Sequence, residues 1–163
     1  MRGARRSPPR LPAPGQRAAQ RPRKRPVNAP GAGGWALASL DELGEGPGFR
    51  KVRDAVGLTE FGANAIVLPP RWQTGAHFHD EQQELYFVHR GPVEFSFDEG
   101  PWHSVGEGGV ARVDPATPRR MRNPGEKEAV VLIAGARGGY VGRDGRYLEE
   151  GGLGPGGPID DGA

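Results

Sequence analysis

Two histidines stand two residues apart at His77 and His79, and an acidic residue follows at Glu84. On a strand, residues two apart point to the same side, so the imidazoles project together, about 6–7 Å apart along the chain. Residues 80–83 are polar enough for a turn, and Glu84 is then expected to open the next strand, folding back beside the first. Two imidazoles and one carboxylate meeting at a point form a facial donor set that suits divalent iron, manganese, zinc or nickel. Paired histidines beside a polar turn also occur as plain exposed side chains. Their place between strand-like runs, with Glu84 and the strand-ending Gly91 following, argues for a metal.

Further along, Arg119 and Met121 share one face by period two, while Arg120 and Arg122 share the other; the apolar Met121 marks the first face as inward. A guanidinium has five donors, no lone pair and a permanent charge, so Arg119 cannot ligate a metal but can grip a carboxylate or phosphate. Across roughly 5 Å at an effective dielectric near 20, its repulsion of a divalent ion is on the order of 6 kcal/mol. Two outcomes follow. Either a three-ligand metal keeps open positions and Arg119 holds an anionic ligand, or Arg119 pairs with Glu84 and the pocket takes an anion without metal. The residues leave both open.

Arg119, Tyr86 and Met121 form the expected substrate-binding set, and Tyr86, Trp72 and Phe78 are placed to line a pocket mouth. Gln83 is in reach of the site. His89 falls on the face opposite Glu84, Tyr86 and Val88, and His103 in a loop-like stretch, so neither is read as a ligand. The glycine-rich 106–109 lacks the Lys-Ser/Thr ending of a phosphate cradle, and no nucleotide cofactor is expected. No G-x-S-x-G elbow or H-E-x-x-H helix occurs, and no catalytic residue stands out.

The elements that must position these groups read as short strands at 61–68, 84–89, 93–98, 110–113, 119–122 and 129–133, separated by Gly and Pro every 8–12 residues. In 93–98, Val93, Phe95 and Phe97 fall on one face and Glu94, Ser96 and Asp98 on the other. Only 37–43 and 51–56 read as short helices. The class is all-β and antiparallel, a sandwich or barrel.

This reading covers a domain over 35–150, flanked by a disordered basic tail at 1–34 and a flexible glycine-rich tail at 151–163. Nine of the 22 basic residues lie in 1–30 with no acidic residue, leaving 13 basic against 20 acidic in the other 133 residues. The chain is thus a basic arm on an acidic body. Seven prolines and a lack of large apolar side chains keep 1–34 from folding. It reads as a solvated tail, or as sequence ahead of a start near Val27. Without interleaved aromatics it is not expected to bind nucleic acid. The longest apolar run, 129–136, is far short of the roughly 20 residues of a membrane helix, and no membrane partner is expected. The absence of cysteine excludes disulfides, Cys-based zinc sites and thiol nucleophiles. With no export signal, it also fits a cytoplasmic bacterial protein.

Residues 60–136 resemble the cupin superfamily. The first cupin motif, G-x5-H-x-H-x(3,4)-E-x6-G, is matched by His77, His79, Glu84 and Gly91, with Arg71 in place of the leading glycine. The second, G-x5-P-x-G-x2-H-x3-N, keeps Gly108 and Asn123 but has Asp114, Ala116 and Arg119 in place of its Pro, Gly and His. The resemblance implies a double-stranded β-helix, or jelly-roll barrel, with His77, His79 and Glu84 as metal ligands, and a homodimer with paired edge strands. The superfamily includes dioxygenases, isomerases, epimerases, sensors and storage proteins. The function expected is binding of a small anionic molecule at a weak divalent-metal site; the alternative is a metal-dependent oxygenase or isomerase.

Overall fold

The structure, a computed structural model, describes residues 34–148 and 156–159. The expected basic tail therefore lies outside the described residues except for Gly34, as do 149–155 and 160–163 of the C-terminal end. The strands are β1 (Gly48–Arg50), β2 (Gly62–Leu68), β3 (Trp72–Gln73), β4 (His77–His79), β5 (Gln83–Arg90), β6 (Val93–Phe97), β7 (Trp102–Val105), β8 (Val110–Val113), β9 (Arg119–Asn123), β10 (Ala129–Ala136), β11 (Gly145–Tyr147) and β12 (Gly157–Pro158). They form two antiparallel sheets. One runs β1-β2-β10-β5-β8; the other runs β11-β4-β9-β3-β12, with β6 on β9 and β7 on β6. This is the jelly-roll architecture expected from the sequence.

Alternation explains which side chains meet inside. Along β5, Glu84, Tyr86 and Val88 are buried while Leu85, Phe87 and His89 are exposed. Along β9, Arg119, Met121 and Asn123 are buried between partly covered arginines. Tyr86, Val88, Met121, Phe95, Ile66, Leu68 and Val131 pack into one apolar cluster, and the Tyr86 and Phe95 rings meet edge to face at 5.4 Å. Burying a side chain of this size stabilises by about 1.5–3 kcal/mol. One strand thus carries polar chemistry at its start and core packing farther on.

Several sequence expectations change. Residues 37–43 hold only a 3-10 turn, Leu40–Glu42, and the helix expected at 51–56 is Val52–Val56. His103 lies in β7 rather than a loop, because Trp102 to Val105 pairs with β6. Ser96, on the expected polar face, is buried with its hydroxyl donating to the Gly100 carbonyl at 2.8 Å. Residues 157–158 pair with β3. Among the described residues, no helix is long and apolar enough to cross a membrane.

Two motif positions show why they matter. Gly91 turns the chain between β5 and β6 at φ 77°, and a Cβ there would come within 3.1 Å of Ala129 Cβ. Arg71, standing where the first motif has its leading glycine, also adopts a left-handed φ of 53°. Its N–H donates to the Gly125 carbonyl at 3.2 Å, and Nη1 donates to the Pro124 carbonyl at 3.1 Å, which holds it there.

Asn123, kept from the second motif, ties this same corner together. Its Nδ2 donates to the carbonyls of Lys127 (2.7 Å), Pro69 (2.9 Å) and Leu68 (3.2 Å), and its Oδ1 accepts from the Gly125 N–H at 2.9 Å. Asn123→Ala should therefore lower stability by about 2–3 kcal/mol, since several buried backbone groups lose their partner at once. Equilibrium urea unfolding measures this, and a loss below about 1 kcal/mol would contradict it.

Candidate functional site

The pairing of β4 with β9 sets His77 opposite Arg119. Period two then brings His77, His79, Arg119 and Met121 to the inner side of their sheet. Glu84 and Tyr86 arrive from β5 in the other sheet. The expectation that Glu84's strand folds back beside the histidines is therefore corrected: β4 pairs with β9 and β11, and β5 with β10 and β8. The turn carries the chain across the barrel and is anchored by Asp144, whose carboxylate accepts the N–H groups of Gln82 (2.8 Å) and Glu81 (3.1 Å). The Asp144 carbonyl accepts from the Asp80 N–H at 3.2 Å.

Glu84 divides its two oxygens. Oε2 accepts from Arg119 Nη2 at 2.7 Å and from the Tyr86 hydroxyl, while Oε1 lies 3.1 Å from His79 Nε2. His77 Nε2 is 4.0 Å from Oε2, and the two imidazole rings stand edge to face at 5.5 Å. A nitrogen from each histidine and a Glu84 oxygen all lie within 4.8 Å of one another. Two neutral imidazole nitrogens and a carboxylate oxygen are suitable donors for a divalent first-row ion. The residues fit the group, and the oxygen facing His79 is the one that Arg119 and Tyr86 leave untouched.

Of the two outcomes the sequence left open for Arg119, the structure has its pairing with Glu84. The arginine side chain is 1% exposed and its donors are engaged within the protein. Nε donates to the Tyr86 hydroxyl at 3.2 Å, and Nη1 to the carbonyls of Pro115 (3.2 Å) and Thr117 (3.0 Å). It turns inward with Met121 yet stops behind Glu84 and Tyr86, so the expected grip on a ligand anion is not available in this geometry. The guanidinium is spent on holding the carboxylate.

The barrel cavity has a volume of about 510 Å³. Ile66, Leu68, Met121 and Ile133 make much of its wall, with Trp72 and Tyr147 also lining it and His77, His79, Glu84 and Tyr86 at its polar end. Among the described residues, no lysine or arginine lines it. Tyr86 and Met121 both line it, although the Tyr86 hydroxyl is committed to Glu84. Phe78 falls on the opposite face of β4. Gln83 points outward to Asp114 at 2.6 Å; the neighbour that reaches the site is Gln82, whose Nε2 is 2.8 Å from His79 Nδ1. His89 and His103 are exposed.

Sequence reasoning missed Gln82, Asp144 and Tyr147. Gln82 shares the face of Glu84 and Tyr86 by period two, a signal that was available. Tyr147 reaches His77 only through the β11–β4 pairing, with ring centroids 5.8 Å apart. Asp144 carries no signal, as it stands alone in a glycine-rich stretch.

Burial, then the charge of Arg119, lowers the His77 pKa from 6.5 to about 4. Burial alone would raise the Glu84 carboxyl, but the attraction and hydrogen bond of His79, the Tyr86 hydroxyl and Arg119 bring it down to about 2. Burial and the neighbouring Glu84 push the Tyr86 hydroxyl well above its ordinary range. His77 is therefore neutral and Glu84 ionised at neutral pH, the states a metal requires. Both folded values lie below the unfolded ones, so both contributions to stability are lost as pH falls: His77's between about 6.5 and 4, Glu84's between about 4.5 and 2. Chelator-treated protein should lose about 2–3 kcal/mol through the His77 window. Urea midpoints at pH 7 and pH 4.5 read this, with His77→Gln as the control expected to flatten the decline. An equally steep decline in that variant would contradict the assignment.

Residues 65–135 match the family model described as cupin domain. No curated protein matches the sequence. Among solved structures, an uncharacterized conserved protein with a double-stranded β-helix domain from Klebsiella pneumoniae superposes with a TM-score of 0.58 at 18% identity, over 70% of this chain and 97% of that one. A putative sugar phosphate isomerase from Acidithiobacillus ferrooxidans gives 0.55 at 21% identity, over 68% and 80%. A sugar phosphate isomerase from Silicibacter pomeroyi gives 0.51 at 28% identity, over 55% of this chain. The chain spans 58% of that last protein's own length.

Proposed function

We propose that this chain, a member of the cupin superfamily, binds a small molecule in its barrel against a divalent metal held by His77, His79 and Glu84. The observation that carries this reading is the divided Glu84, with Oε2 held by Arg119 and Tyr86 and Oε1 turned toward His79. Iron, manganese, zinc and nickel all accept such a donor set. A bound ion would supply Lewis acidity to a ligand oxygen or nitrogen. His77 and His79 present nitrogens, Glu84 presents Oε1, and Arg119 with Tyr86 fixes the carboxylate. Ile66, Leu68, Met121 and Ile133 exclude water and receive the apolar body of the ligand.

This geometry moves the ligand away from the anion expected on the sequence. Without a cationic side chain in the described wall, a free carboxylate or phosphate would face Glu84 with only the metal to offset it. A neutral molecule with one polar group at its metal-facing end fits better.

An enzymatic reading, oxygenase or isomerase, draws on the three-donor set, which leaves coordination positions open. The likeness to the Silicibacter sugar phosphate isomerase lends it some support, but the absence of a described cation in the wall weighs against a phosphate. A homodimer belongs to the same proposal, with sedimentation equilibrium as its direct readout.

The test is isothermal titration of tag-free, chelator-stripped protein with Mn²⁺, Zn²⁺ and Ni²⁺. One site per chain is expected, abolished in His77→Ala. Stoichiometry well below one, unchanged by that substitution, would leave a metal-free pocket closed by the Arg119–Glu84 pair.

A further inference from the structure

His79 is gripped on both ring nitrogens by carboxylates. Nε2 faces Glu84 Oε1 at 3.1 Å, and Nδ1 faces Asp144 Oδ2 at 3.4 Å. The Asp144 side chain is 3% exposed and comes from the loop before β11, beyond the 65–135 stretch that matches the family. Two further contacts fix it at this spot. Its carboxylate accepts the N–H groups of Glu81 and Gln82, and the next residue, Gly145, pairs with His79 in the β11–β4 register.

The two groups near Nδ1 differ in kind. Gln82 has an amide that can offer either a donor or an acceptor to the ring, so it follows the imidazole's tautomer. Ionised Asp144 can only accept. It favours a proton on Nδ1, while Glu84 Oε1, closer to Nε2, favours one there until a metal replaces it; with Nε2 on the metal, Nδ1–H faces Asp144.

We propose that Asp144 is the positioning residue that makes His79 a ligand. It accepts from Nδ1–H once Nε2 meets the metal and, through the same carboxylate, locks the turn that joins the His79 strand to the Glu84 strand. This rests on the metal reading above. Carboxylates that orient ligating histidines in this way change metal affinity by 10–100-fold when removed.

Two measurements test it. In Zn²⁺-loaded wild-type protein, a ¹⁵N–¹H spectrum should show a slowly exchanging, downfield proton on His79 Nδ1; a fast-exchanging proton there, or a bare Nδ1, would overturn the proposal. Asp144→Asn keeps the side-chain shape and removes the charge. It should weaken Zn²⁺ binding at least tenfold, by more than any fall in melting temperature accounts for, and move the His79 Nδ1–H resonance upfield in the loaded protein. Zn²⁺ affinity within twofold of wild type, with the Nδ1–H resonance unchanged, would reduce Asp144 to a turn-holder and overturn the proposal. A wild-type protein that binds no Zn²⁺, Mn²⁺ or Ni²⁺ defeats the metal reading; wild-type Zn²⁺ binding left unchanged by Asp144→Asn defeats this proposal alone.

Discussion

Glu84→Gln should destabilise the metal-free protein by about 3–5 kcal/mol, the range for breaking one partner out of a buried ion pair. The reason lies on the arginine side. Arg119 is 1% exposed, and its remaining acceptors, the carbonyls of Pro115 and Thr117 and the Tyr86 hydroxyl, are neutral. An amide at position 84 can still accept one hydrogen bond, but it leaves the guanidinium charge buried without an anion. Adding Arg119→Met to Glu84→Gln should recover roughly half the loss, because the stranded charge is gone and an apolar side chain packs beside Met121. Urea unfolding at pH 7 with chelator present measures both. A single-variant loss below about 1 kcal/mol would mean that the pair is not the keystone of the site.

Arg119→His should raise divalent-metal affinity by at least 100-fold, about 2.7 kcal/mol in binding. The substitution removes a permanent positive charge from behind Glu84 and puts an imidazole opposite His77 in the β4–β9 register. It also removes the group that fixes Glu84 Oε2. The two effects oppose each other, and the Coulomb term between a guanidinium and a divalent ion is the larger. The metal-free variant should be less stable than wild type, and added Zn²⁺ should raise its melting temperature by more. Unchanged or weaker affinity would show that Arg119 matters more as the holder of Glu84 than as a repelling charge.

Much of this arrangement can be read from the chain, for identifiable reasons. Period two in β9 is enough to turn Arg119 inward with Met121, and the spacing of His77 and His79 is enough to put them on one side. Pattern gives a face but not a depth, however. Whether Arg119 ends in the cavity wall or behind it depends on the Pro115 and Thr117 carbonyls, which no periodicity reveals. Partner strands are equally hidden. A polar turn over 80–83 is compatible with a hairpin, yet Asp144, more than sixty residues away in sequence, anchors a turn that leads β5 into the opposite sheet. β7 escapes notice because Trp102 to Val105 is short and flanked by Gly and Pro. The non-local contacts are what the sequence alone leaves undetermined.

The central claim is that two imidazoles and one carboxylate oxygen share an ion at the polar end of the cavity. Crystals grown from chelator-stripped, tag-free protein with added Mn²⁺ or Zn²⁺, and measured at the metal's absorption edge, test it most directly. The account predicts a single strong anomalous peak bounded by His77, His79 and Glu84, with Arg119 still on the far oxygen of the carboxylate. Anomalous density only at surface carboxylates, with the three side chains unaltered around water, would contradict it.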